Sequence, residues 1–240
     1  LYGLQGMSSD CSEVRALLRE LPRLLKTCKD PLKAQNVGNM IYGLQGISSD
    51  CSEVIALLRE LPRLVKTCTE QFTAQEISNM LYGLQHLHLD APEVSALIDA
   101  LLPHINSSME ALHPQHVSNA LYGISGLFDE SVPSTVIIYR YLKSHFDRVV
   151  AVDSNQLSLK DRQMLTSHVC LFIDRIQHNG SVISSQLSAE LIEMRHRLEP
   201  LRMLGLTTTN DDSDDDVDVH DDDDDDNRPV SYTHLRAHET

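Results

Sequence analysis

Apolar residues along this chain fall at helical spacing, and the same spacing returns one period later. In residues 73–84 the apolar set is Ile77, Met80, Leu81 and Leu84, the i, i+3, i+4, i+7 pattern of a single helix face. Val37, Met40, Ile41 and Leu44 repeat it, as do Val117, Ala120, Leu121 and Ile124. The start of such a helix is clearest at Thr73. There a threonine N-cap has Glu76 three residues on to complete a capping box, with Phe72 and Ile77 placed for a hydrophobic staple. A second stripe follows each phrase, as in Val54, Leu57, Leu58 and Leu61. Pro62 is expected to end or kink that second helix, because proline has no amide donor and clashes with the turn before it. Pro103 stands one place later in the third copy.

The period is forty residues, marked by Tyr2, Tyr42, Tyr82 and Tyr122. Residues 1–40 and 41–80 share 28 of 40 positions, the signature of a recent duplication. Residues 81–120 are more diverged but keep the frame. The fourth copy, from Leu121, gains one residue, so that Pro92 aligns with Pro133 and Leu101 with Leu142. Two helices per period make a helical hairpin, and a hairpin of this size buries its apolar face only by stacking on its neighbours. The fold class expected over residues 1–150 is therefore all-α, an α-solenoid of forty-residue helical-hairpin repeats. A β-propeller shares the period but calls for strands and tryptophans, and the chain has no tryptophan. In residues 151–205 the phrase is lost while helical patterns persist. Ser158 with Asp161 offers a capping box, Leu165, Val169, Phe172 and Ile176 share a face, and Gly180 marks a stop. Leu187, Leu191, Met194 and Leu198 form a last stripe before Pro200. This stretch reads as a degenerate repeat or a C-terminal cap.

Charge changes the picture only at the end of the chain. The formal net charge of −15 includes twelve aspartates between Asp211 and Asp226; without them it is −3. The repeats are thus close to neutral. Residues 206–229 read as a disordered Asp-rich tail able to attract basic partners, since a run of like charges cannot bury apolar surface. The segment 230–240, VSYTHLRAHET, resembles the conceptual translation of a sequencing adaptor and is set aside from the fold. Leu1 lies inside the repeated phrase, so earlier copies are expected ahead of it. No apolar run approaches eighteen residues, so no membrane span is expected. Cys11, Cys28, Cys51 and Cys68 follow the period, but Ala91 and Ser108 take those slots in the third copy. Neither a disulfide nor a metal site is built into the repeat, and these cysteines, with Cys170, read as buried free thiols.

The phrase Q-x-[IV]-[SG]-N-x-[LI]-Y-G-[LI], at residues 35–44, 75–84 and 115–124, together with L-L-R-E-L-P-R-L, resembles the octotricopeptide repeat over roughly residues 1–145. His113-Pro114-Gln115 preserves that family's Pro-Gln opening, while Tyr-Gly stands where it usually has Trp-Ala. The resemblance implies an α-solenoid that binds organellar RNA and acts in its stability, processing or translation, in a plastid or mitochondrion. The partner so implied is single-stranded RNA; the alternative is a protein or peptide held by the same stack without nucleic acid.

Candidate contacts follow from the residues themselves. Arg15, Arg19 and Arg23 lie four apart on one helical face, with Lys26 nearby, and Arg59, Arg63 and Lys66 take the matching places one copy on. Arg140 returns in the fourth copy, whereas the third has Asp99 in that slot and no lysine or arginine in residues 81–120. Such a strip suits phosphate contacts. It equally suits a solvated face balanced by Glu20 and Glu60. The residues shared by every copy, Asn39, Tyr42, Gly43, Asn79, Tyr82, Gly83, Asn119, Tyr122 and Gly123, read first as structural. The asparagines suit a clamp on the neighbouring loop, the tyrosines are half-buried rings, and the glycines mark close helix approach. Nucleobase stacking on the tyrosines is the sharper reading. His86, His88, His104, His113 and His116 crowd the third copy and read as loop-exposed imidazoles. Asn106 and Asn179 match the glycosylation triplet. No nucleophile is paired with a base at a defined spacing, and no glycine-rich loop follows a strand. Neither an enzyme nor a cofactor is expected.

Overall fold

Helices form wherever the apolar stripes predict them. The computed structural model describes residues 1–151, 156–178 and 183–206, all within one unit, Leu1–Thr208. The predicted stop at Gly180, the Asn179 triplet, the Asp-rich tail and the segment 230–240 lie outside the described residues. Those described are all-α, with no strand among them.

A 3₁₀ turn at Tyr2–Leu4 opens the chain, followed by α1 (Ser12–Thr27), α2 (Ala34–Tyr42), α3 (Ser52–Leu58), α4 (Leu61–Val65) and α5 (Ala74–Tyr82). Next come α6 (Pro92–Ser107), α7 (Pro114–Ile124), α8 (Pro133–Ala151), α9 (Leu159–His178) and α10 (Ser185–Leu206). The helices carrying the repeated phrase form one row: the 3₁₀ turn packs on α2, α2 on α5, α5 on α7, and α7 on α9. The second helices form another, in which α1 meets α3, α4 meets α6, and α6 meets α8. Tyr139 of α8 reaches Glu190 and Met194 of α10 and so extends that row.

The core lies between the rows. Val37, Ile41, Leu44, Ile77, Met80, Leu81 and Leu84 are buried, and so are Val117, Ala120, Leu121 and Ile124. The second stripe, Val54, Leu57, Leu58 and Leu61, meets them from the other side. Leu165, Val169, Phe172 and Ile176 and then Leu187, Leu191, Met194 and Leu198 continue the core through α9 and α10. The capping box forms as expected: Glu76 N–H donates to Thr73 Oγ1 at 3.2 Å, and Thr73 N–H to Glu76 Oε2 at 2.8 Å. Phe72 and Ile77 are both buried beside it. Pro92 and Pro133 each open a helix, consistent with the one-residue gain in the fourth copy. A proline at the first turn costs nothing, because its missing donor has no acceptor there.

Two expectations change. Proline breaks only one of the second helices: α3 stops before Arg59 and α4 restarts at Leu61, but α1 runs through Pro22 and α6 through Pro103. The cysteines are free, yet only Cys68 is buried; Cys28, Cys51 and Cys170 are half-buried, and Cys11 is exposed beside Glu13.

Candidate nucleic-acid interface

The arginine strip lies along the second-helix row, and its members meet different fates. Arg19 of α1 reaches Glu53 of α3 at 2.8 Å, and Arg59, just after α3, reaches Glu93 of α6 at 2.6 Å. Forty residues apart, the same bridge joins successive copies twice, and Lys26 with Glu60 adds a looser one at 3.5 Å. The two partners of each bridge are unequally placed. The side chains of Arg19 and Arg59 are 64% and 63% exposed, whereas Glu53 and Glu93 are 16% and 15% exposed. The carboxylates lie beneath and the guanidiniums face the solvent. Hydrogen bonds from Arg19 and Arg59 hold Glu53 and Glu93 below the usual carboxylate pKa, so both stay ionised.

Arg63 turns away from the strip. Its guanidinium donates to the Leu25 and Cys28 carbonyls at 2.7 and 3.2 Å, capping the C-terminal end of α1 from the next copy. Arg15 donates to the Ser9 carbonyl at 2.6 Å. Arg23 is exposed and meets only the edge of Glu20, at 3.6 Å. Arg140 is exposed on α8, and Asp99, equally exposed on α6, interrupts the series between Arg59 and Arg140. Arg19, Arg23 and Arg59 thus keep solvent-facing guanidiniums, and Arg140 is exposed beyond the interruption.

The tyrosines make a ladder. Tyr2 stacks on Tyr42 at 6.1 Å between ring centroids, Tyr42 on Tyr82 at 5.9 Å and Tyr82 on Tyr122 at 5.7 Å. His168 closes the far end at 4.9 Å, with the Arg175 guanidinium 5.4 Å from the Tyr122 ring centre. Tyr42 and Tyr82 thus have a neighbouring ring on each face, and a nucleobase could stack on them only by displacing one. Gly43, Gly83 and Gly123 explain the tight rise of the ladder. A Cβ on each would meet the carbonyl oxygen of Leu1, Ile41 or Leu81 at 2.3, 2.1 and 2.0 Å. Gly43 and Gly83 have ordinary helical φ of −61° and −63°, so close approach, not backbone freedom, requires them.

Asn39, Asn79 and Asn119 are half-buried on the phrase helices. Further clamps between copies are made by residues that the sequence reading passed over. Ala34 N–H donates to Glu70 Oε2 at 2.8 Å, and Ala74 N–H to Glu110 Oε2 at 2.7 Å, so each copy caps the phrase helix before it with a carboxylate. Ser9 and Ser49, both buried, accept from the amides of Ser48 and His88 in the following loop. A signal for both existed in the alignment of copies: Asp30, Glu70 and Glu110 share one slot, and Ser9 and Ser49 another.

The histidines divide. His86, His88 and His113 are exposed, but His104 lies against Phe72 at 4.9 Å and His116 is half-buried. No group of His, Cys, Asp and Glu among the described residues could hold a metal ion, and no described helix is long and apolar enough to cross a membrane. No known protein family, curated protein or solved structure matches this chain.

Proposed function

We propose that the chain is part of an α-solenoid of forty-residue hairpins that binds single-stranded RNA along its stacked helices and carries out no chemistry on it. One observation carries the proposal: in two successive copies the inter-copy ion pair is built with its carboxylate sunk and its guanidinium outward, so that a nearly neutral repeat still presents a positive edge. A guanidinium already held by one carboxylate keeps donors free for a phosphate oxygen. The resemblance to octotricopeptide repeats extends the proposal to organellar RNA, in a plastid or mitochondrion.

The test is a fluorescence-anisotropy titration of the full chain, and of a version ending at Leu206, against a pool of single-stranded RNAs at several salt concentrations. The guanidiniums of Arg19 and Arg59 face solvent, and glutamine can still donate a hydrogen bond to the carboxylate beneath, so Arg19→Gln/Arg59→Gln is expected to leave a folded protein. That double variant should bind more weakly, with the slope of log K against log salt shallower by about 1.4, two phosphate contacts at about 0.7 each. A helix-rich sample that binds no RNA at protein concentrations well above ~1 μM overturns the proposal. A second reading, a protein or peptide partner, is favoured by the third copy, where Asp99 faces solvent and lysine and arginine are absent from residues 81–120.

A further inference from the structure

Donors without acceptors collect in a groove between α9 and α10. On α9, Leu159, Gln163 and Ser167 stand four apart, as do Arg162 and Thr166, so the five share one side of the helix. Leu201 and Arg202 of α10 close the opposite wall of a groove of about 340 Å³. That is far more room than the ~30 Å³ of a single water. Among the described residues, Tyr141, Arg162, Thr166 and His168 each bury a side-chain polar atom that has no hydrogen-bond partner. Two of these atoms, Arg162 Nε and Thr166 Oγ1, belong to the lining of this one groove. A threonine inside a helix can return its hydroxyl to the carbonyl four residues back, but the Thr166 hydroxyl makes no such bond. No carboxylate among the described residues pairs with Arg162: Asp161 beside it accepts from Ser158 at 2.7 Å, and Glu199 from Arg202 at 3.3 Å. Arginine carries donors only, and a buried donor left unmet is costly. The missing acceptor has to come from outside the groove.

We infer that this groove is a binding site for a phosphate monoester carried on a small, partly apolar body. Arg162 and Arg202 bring guanidiniums from two helices, the Arg202 side chain being 56% exposed. The Thr166 hydroxyl and the exposed Gln163 amide add neutral donors. Guanidiniums pair their donors with phosphate oxygens. A tetrahedral group with three terminal oxygens meets donors on both walls of a groove, whereas a carboxylate meets them in one plane. Leu201 is buried and Leu159 is 40% exposed, so the walls also offer apolar surface to whatever bears the phosphate. The Ser167 hydroxyl is already spent on the Met164 carbonyl, at 3.2 Å. The groove shares no residue with the arginine strip, so the inference holds whether or not the stack binds RNA.

The experiment follows the Arg162 Nε–H resonance of the isotope-labelled full chain, assigned by its loss in Arg162→Gln, while inorganic phosphate, uridine monophosphate and uridine are added in turn. Both phosphates should move it, the nucleotide at the lower concentration, and uridine should not. By calorimetry, Arg162→Gln and Arg202→Gln should each weaken nucleotide binding by at least about tenfold, the scale of a lost hydrogen bond to a charged group. Thr166→Val should weaken it without lowering Tm, a separation that a purely structural threonine would not give. Arg19→Gln/Arg59→Gln should leave it unchanged. An Arg162 resonance that stays in place through millimolar concentrations of both phosphates overturns the inference. So does a shift that sodium chloride at equal ionic strength reproduces, since the groove then takes an adventitious ion only.

Discussion

Gly123 lies with its Cα against the Leu81 carbonyl, and the partner atom is backbone, which cannot swing aside as a side chain would. Gly123→Ala should therefore cost about 2 kcal/mol despite alanine's better helix propensity, lowering Tm by about 4–8 °C; differential scanning calorimetry reads this directly. The buried histidines set a pH dependence at the same scale. His145 is buried, accepts the Leu112 amide at Nδ1 at 3.2 Å, and is pushed below its ordinary pKa by burial and then by the Arg148 charge. His168 is buried against Tyr122 and shifted down chiefly by burial. Both are neutral when folded, while in the unfolded chain they protonate near pH 6.5. Their contribution is thus complete above about pH 6.5 and is lost as pH falls through and below it toward the folded pKa. Urea midpoints should drop between about pH 7 and about pH 5, and His145→Gln, which keeps an acceptor for Leu112, should flatten part of that drop.

Among the elements, the phrase helices are held at their N-termini from two directions. α5 has Thr73 within its own copy and Glu110 from the next. Thr73→Ala removes one cap and should cost about 1 kcal/mol, and Glu110→Ala should cost a comparable amount by exposing the Ala74 amide and removing a carboxylate from the positive end of the helix. The pair should be close to additive in chemical denaturation, because the two side chains bond different amides. Thr73 and its capping box were legible in the sequence, since a cap lies within four residues of what it caps. Glu110 was not, because its target is 36 residues away and only stacking brings the two together. The second helices teach the same lesson through proline. S-E-V-x-A-L-L-R-E-L-P-R-L occurs in copies one and two with one difference, Arg15 for Ile55, yet α1 is continuous and its counterpart is broken into α3 and α4. Copy two lies between neighbours, and the break accompanies burial of Leu61, Leu64 and Val65 together, whereas Leu24 in copy one stays in solvent.

For the molecule as a whole, nearly identical local sequence should give very unequal mutational costs. Leu57→Ala, in a fully buried site, should destabilise by about 2–5 kcal/mol, while Leu17→Ala, half in solvent, should change stability by no more than about 0.5 kcal/mol; urea denaturation of the two variants checks the contrast. Periodicity alone determined the helices, their apolar faces, the forty-residue unit and the structural reading of Gly43, Gly83 and Gly123, because these depend on spacing along a backbone whose geometry is known in advance. The tertiary structure alone decided which arginine faces solvent, which caps a neighbouring helix, that the tyrosines stack on one another, and which leucine of two nearly identical stretches is covered. Those outcomes depend on what lies across the interface between copies, and a side chain's neighbours forty residues away are set by packing, not by the residues on either side of it.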